Sequence, residues 1–170
     1  MKAIDVIRNA MQFADQGTLG LIEDMRDAAL AQPTSRGGNH PLWVLGHITL
    51  IEGNIPHVIF GEPNPVARWA PLFAPGTEPQ ADASVYPPFE EILRTYRDLR
   101  ARNMRILEEL GDAGLDRKTA APPKGMEHVL GTVGSAFLVV AMHQMHHRGQ
   151  LADCRRAAGR RPVFTPQFDY

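Results

Sequence analysis

Apolar residues recur at helical spacing in four stretches of the chain. In the first, from about Ile4 to Leu30, the stripe is Ile4, Ile7, Met11, Ala14, Leu21, Met25 and Ala28, with Thr18 as its one polar member. Pro33, Gly37 and Gly38 end it. The second begins near Asn39, a residue type that caps helices, with Pro41 in the first turn. Its inward stripe is Trp43, Val44, His47, Leu50, Ile51, Asn54 and Val58, and Pro56 is expected to kink it or close it early. The third runs from about Phe89 to Leu110, on Phe89, Ile92, Leu93, Tyr96, Leu99, Ile106, Leu107 and Leu110. Its remaining faces are Arg- and Glu-rich and read as solvated surface, and Gly111 is the natural stop. The fourth runs from about Thr132 to Ala158 and stops at Gly159. No stretch alternates like a strand, so the pattern predicts an all-α protein, a four-helix bundle forming a single domain over residues 1–170.

Between the second and third helices lies a long loop, Gly61 to Pro88, rich in Pro, Gly and Ala. Trp69, Leu72, Phe73 and Tyr86 within it are residues of the buried type, so it is expected to pack as a cover over one end of the bundle. A second loop, Asp112 to Met126, holds Pro122-Pro123-Lys124-Gly125, and the tail from Arg160 to Tyr170 reads as irregular.

Composition narrows the function classes. At 44% hydrophobic and 22% charged the 170 residues have an ordinary globular make-up. A formal net charge of −1 gives no electrostatic case for nucleic acid. The longest apolar run, Ala136 to Met142, is far short of a membrane span. Met1-Lys2-Ala3-Ile4-Asp5 lacks the apolar core of a signal peptide, and a single cysteine excludes an internal disulfide framework; a cytoplasmic setting is the expectation. With seven histidines and one cysteine, any metal site must lean on imidazole.

Three of those histidines stand at inward positions. His143 and His147 are one helical turn apart, so their side chains lie on one face. With about 100° per residue, His147 falls about 40° from His143, inside the apolar stripe of Ala136, Val140 and Cys154, and Arg148, Arg155 and Arg156 fall on the solvent side. His47 sits at the centre of the second helix's apolar face, between Trp43 and Ile51. A polar ring in an apolar core must find a partner or forfeit the equivalent of a hydrogen bond. Sharing a transition-metal ion satisfies all three, and three protein ligands leave the open position typical of a catalytic site. Ordinary hydrogen bonding is the simpler fate of any one of them taken alone.

Two motifs carry a resemblance. Asn39-His-Pro-Leu-Trp43-Val-Leu-Gly46-His47-Ile48 resembles the second-helix motif of the DinB/YfiT-like metalloenzymes, and His143-x-x-x-His147-Arg148-Gly149-Gln150 resembles their fourth-helix motif. Trp69-Ala-Pro-Leu-Phe73 and the segment Tyr86 to Leu110 are similar as well, so the likeness covers nearly the whole chain. It implies a four-helix bundle binding a divalent metal, Zn or Ni, through His47, His143 and His147, and a homodimer. Relatives include transferases that use low-molecular-weight thiols. Others serve in sulfur-transferring oxidases with a His-x-Glu ending, where this chain has Arg148-Gly149.

The function expected is therefore a metal-dependent enzyme, a thiol-dependent transferase acting on small electrophiles. The alternatives are a metal-dependent hydrolase, a non-catalytic metal- or ligand-binding stress-response protein, and a plain bundle without metal. Small-molecule ligands are expected, nucleic acid and membrane are not. Trp69, in the long loop, is the candidate to line a pocket, Gln150 to orient a ligand's second nitrogen, and Asn54 to touch the site. No residue stands out as general base among His146, His57, Glu52 and Asn54. Asn103 either reaches the site or bonds a neighbouring carbonyl, and Cys154 reads as a buried, inert thiol.

Overall fold

Helix α1 spans Ala3–Asp24 in the computed structural model, which describes residues 1–161. Its predicted stripe is buried from Ile4 through Leu21, and the Asp5 carboxylate caps it by accepting from the Lys2 amide at 3.0 Å. The helix ends at Asp24, short of the expected Leu30; turns carry the chain on to α2, and the Leu42 amide bonds the Leu30 carbonyl.

Helix α2, Pro41–Phe60, is capped by His40 and not by Asn39: the His40 Nδ1 accepts from the Trp43 amide at 3.1 Å. Pro56 neither kinks it enough to end it nor closes it early. Proline removes the N–H that would bond the carbonyl four residues back. That carbonyl belongs to Glu52, and Asn103 of α4 donates to it instead at 2.9 Å. Gly61, with φ 77°, closes the helix in the left-handed region, its amide bonding the His57 carbonyl. α2 is buried on nearly all sides, so its stripe was only part of its packing surface.

The long connection that follows carries short helical pieces: 3₁₀ turns at Ala67–Trp69 and Ala83–Val85, and helix α3, Ala70–Phe73. Trp69, Phe73 and Tyr86 are buried in the cluster formed with the first half of α2. Helix α4 spans Phe89–Gly114, and Gly111, at φ 60°, breaks its helical backbone where the stop was expected, with a last short turn beyond it. A four-residue helix not expected from the sequence, α5 (Glu127–Leu130), precedes α6, Val133–Ala157, which Thr132 caps by accepting from the Ser135 amide. The described residues are thus all-α, with four long and two short helices and no strand. The expected irregular tail lies largely outside them.

The long helices close a ring, α1 on α6, α6 on α2, α2 on α4 and α4 on α1. Their core is in two apolar clusters, one around the first half of α2 and the other around its end, the start of α1 and the start of α6. A polar layer lies between them along every helix: Asp15, Glu52, Arg100, Asn103 and Gln144, with the Tyr96 hydroxyl. Arg100, assigned by its type to the solvated face, is in fact buried, with Glu52 at 3.0 Å.

Candidate metal centre

His47, His143 and His147 meet. One nitrogen from each lies within 4.8 Å of the others. The Nε2 atoms of His47 and His143 are 3.1 Å apart, and so are those of His143 and His147. His47 and His147 are buried and His143 is half-buried. The inward stripes of α2 and α6, in contact along the bundle, bring them together.

Outer hydrogen bonds settle which nitrogens face inward. The His47 Nδ1 lies 2.7 Å from the Phe73 carbonyl oxygen. A carbonyl can only accept, so Nδ1 carries the proton and Nε2 presents a lone pair. The His147 Nδ1 likewise donates to Gln150 Oε1 at 2.8 Å, an oxygen that also accepts from Asn39 Nδ2 at 3.1 Å. Trp43, expected as core packing, stacks its indole on the His47 ring, centroids 4.7 Å apart and planes 9° apart. Its Nε1 donates to Thr77 Oγ1 at 3.0 Å.

Three Nε2 atoms so directed make a poor hydrogen-bonding group. The His143 Nε2 faces two lone pairs and carries at most one proton. A cation suits all three. Nitrogens bound tetrahedrally to one ion at about 2.0–2.1 Å stand about 3.3–3.4 Å apart, close to the 3.1 Å found here. Protonation is also resisted: burial, with the neighbouring histidines adding to it, lowers His143 to about 4. Burial lowers His147 to about 3, against the Gln150 hydrogen bond that raises it, and lowers His47 as well. The residues thus match a divalent metal ion.

The family model of the DinB superfamily matches residues 10–151. The chain belongs to the DinB superfamily. The match spans all three histidines and Gln150 of this DinB-superfamily protein. No curated protein matches the chain.

Beside the histidines is a cleft of about 450 Å³ that His143 helps to line. Ile51, Ile55, Val58, Val139 and Val140 supply much of its wall, and Asn54 lines it, its Oδ1 accepting from Asn64 Nδ2 at 2.8 Å. Trp69 is not in this wall. It is buried edge-on against Phe73, and the loop acts on the site through the Phe73 carbonyl and through Pro75, which does line the cleft. Pro123 and Met126, from the second loop, were not anticipated as lining residues.

The remaining candidates are not among the three converging histidines, and of them His146 lies nearest. His57 is exposed and bonded to the Glu62 carbonyl. His146 is exposed beside His147, ring centroids 5.2 Å apart. Glu52 is paired with Arg100. Asn103 bonds the Glu52 carbonyl and carboxylate. Cys154 is buried 3.6 Å from the Asn39 carbonyl, and burial pushes its thiol up.

Proposed function

We propose that this protein is a divalent-metal-dependent enzyme that joins a low-molecular-weight thiol to a small electrophile, with His47, His143 and His147 as the metal ligands. One observation carries the reading: three Nε2 atoms converge, two of them with their Nδ1 protons tied outward, next to a cleft that His143 lines. Three protein ligands leave a position for a reactant. A divalent ion there supplies Lewis acidity, which lowers the pKa of a bound thiol or water.

The cleft favours thiol over water. Hydrolysis draws on an acid or base positioned beside the reacting atoms. Among the described lining residues the titratable one is His143, and it is committed as a ligand. A thiol is far more acidic than water, so on binding the ion it would release its proton to solvent without a positioned base, and the thiolate is then a strong nucleophile. The other residues position and exclude: Phe73 and Gln150 fix two rings, Trp43 backs His47, and the aliphatic wall keeps water from the electrophile.

Protein purified without an affinity tag is expected to contain zinc or nickel in near-stoichiometric amount by elemental analysis, and His147→Ala to lose it. Thiol and electrophile together are expected to yield an S-conjugate with the metal-loaded wild type and nothing with the chelated protein. Turnover of esters or amides without thiol would make it a hydrolase. Background metal in the wild type would remove the reading altogether.

A further inference from the structure

The cleft beside His143 has a selective chemistry of its own. Its volume of about 450 Å³ is that of a small-molecule site. Its walls draw on Ile51 and Val58 of α2, Val139 and Val140 of α6, Leu130 of α5 and Met126 just ahead of it. Among the described lining residues none is Lys, Arg, Asp or Glu. Asn54 and His143 are the polar members. The Asn54 oxygen is taken by Asn64, so the group it offers the cleft is its N–H₂ donor.

We infer that this cleft selects an uncharged, largely apolar electrophile bearing a neutral oxygen acceptor, and rejects ions. The inference rests on the proposed reading of the histidines as the reactive centre, since His143 both lines the cleft and meets the other two histidines. An apolar chain gains by leaving water for the aliphatic wall. A neutral carbonyl or hydroxyl oxygen finds the Asn54 donor. A carboxylate entering the same space sheds its water and meets no cationic side chain among the described lining residues. An ammonium meets no carboxylate there either.

The test uses the metal-free, full-length protein and unbranched methyl ketones from butanone to octanone, against the carboxylates of equal length. Affinity for the ketones is expected to rise roughly fourfold per methylene, and the carboxylates to bind about tenfold more weakly or worse. The imidazole C–H signals of His143 are expected to shift as ketone is added. Met126→Lys, on an exposed position, is expected to weaken the ketones and strengthen the carboxylates. Val139→Lys, half-exposed, repeats the test should the first variant not fold. Equal affinities, no dependence on chain length, or an unmoved His143 signal overturn the inference. The ketone series is read without metal, so its failure is distinct from failure of the catalytic reading. A metal-loaded enzyme that conjugates no electrophile, with the series intact, overturns only the proposed function.

Discussion

His147 is aimed by a residue on its own helix. Gln150 accepts its Nδ1 proton and is itself held by Asn39, just ahead of the neighbouring helix α2. Gln150→Leu removes that acceptor and leaves the Asn39 amide without its oxygen. Loss of such an outer partner typically weakens metal binding by about 10–100-fold. Chelator competition on the purified variant is the measurement, and an unchanged metal Kd would mean that packing alone aims the ring. At this scale the site was largely legible in the sequence. Two histidines four apart on an apolar stripe and a third at the centre of another fix which faces they occupy, and Gln150 is one turn beyond His147 and two beyond His143 on the same helix. The Phe73 carbonyl was not legible, because a backbone oxygen has no residue type to betray it. Trp69 misled for a related reason: a tryptophan in a loop suggests a pocket wall, but its ring had a better berth against Phe73.

The fit between elements depends on small and polar residues that a hydrophobic pattern passes over. Gly46 lets the Phe73 ring lie against α2, and a Cβ there would overlap that ring. Phe73 is fully buried and has little room to move, while its carbonyl holds His47. Gly46→Ala is therefore expected to destabilise the fold by about 1–3 kcal/mol and to weaken metal binding along with it. Urea unfolding and metal titration should move together; a stability loss with unchanged metal affinity would separate Phe73 from the site. The polar layer is a second case. Arg100 bonds the Tyr96 hydroxyl, Gln144 and Met11 Sδ and pairs with Glu52. Burial opposes its charge, but Glu52, Tyr96 and Asp15 outweigh that and hold its pKa above the ordinary value. Burial raises Glu52, with Arg100 and Asn103 opposing. Arg100→Met strands a buried carboxylate and is expected to cost about 3–5 kcal/mol. Adding Glu52→Gln is expected to recover part of it. Additive losses in urea melts would show that the two side chains act separately. The periodicity of α4 does set Arg100 on the inward stripe, one turn from both Tyr96 and Asn103; its charge, not its position, reads as surface, and the facing Glu52 is the partner that lets it lie inside.

For the whole molecule, the order of the four long helices could be read from the sequence because each stripe repeats over many turns. The connections could not, since α5 and the cleft walls at Pro123 and Met126 take their places from contacts distant in the chain: the Ala120 and Ala121 amides bond the Ile59 and Val58 carbonyls of α2. The same burial that assembles the histidines makes the metal-free fold sensitive to acid. His40, His47, His143 and His147 all have their pKa lowered, by desolvation first, from the ordinary value of 6.5. Above about pH 6.5 both folded and unfolded chains hold these rings neutral, and stability is indifferent to them. As pH falls through that value the unfolded chain takes up protons that the folded chain refuses, so stability drops and continues to drop toward the folded values of about 4 for His143 and about 3 for His147. His40 isolates one share of this effect, away from the metal ligands. Its Nδ1 must stay unprotonated to cap α2, while Nε2 donates to the Gln80 carbonyl at 2.9 Å. His40→Asn keeps a capping side chain that does not titrate. Between pH 7 and 5 the metal-free variant is expected to lose stability less steeply than the wild type, by up to about 1.4 kcal/mol per pH unit. Urea midpoints measured across that interval give both slopes, and parallel lines would show that the His40 ring takes up its proton at the same pH in the folded and unfolded chains.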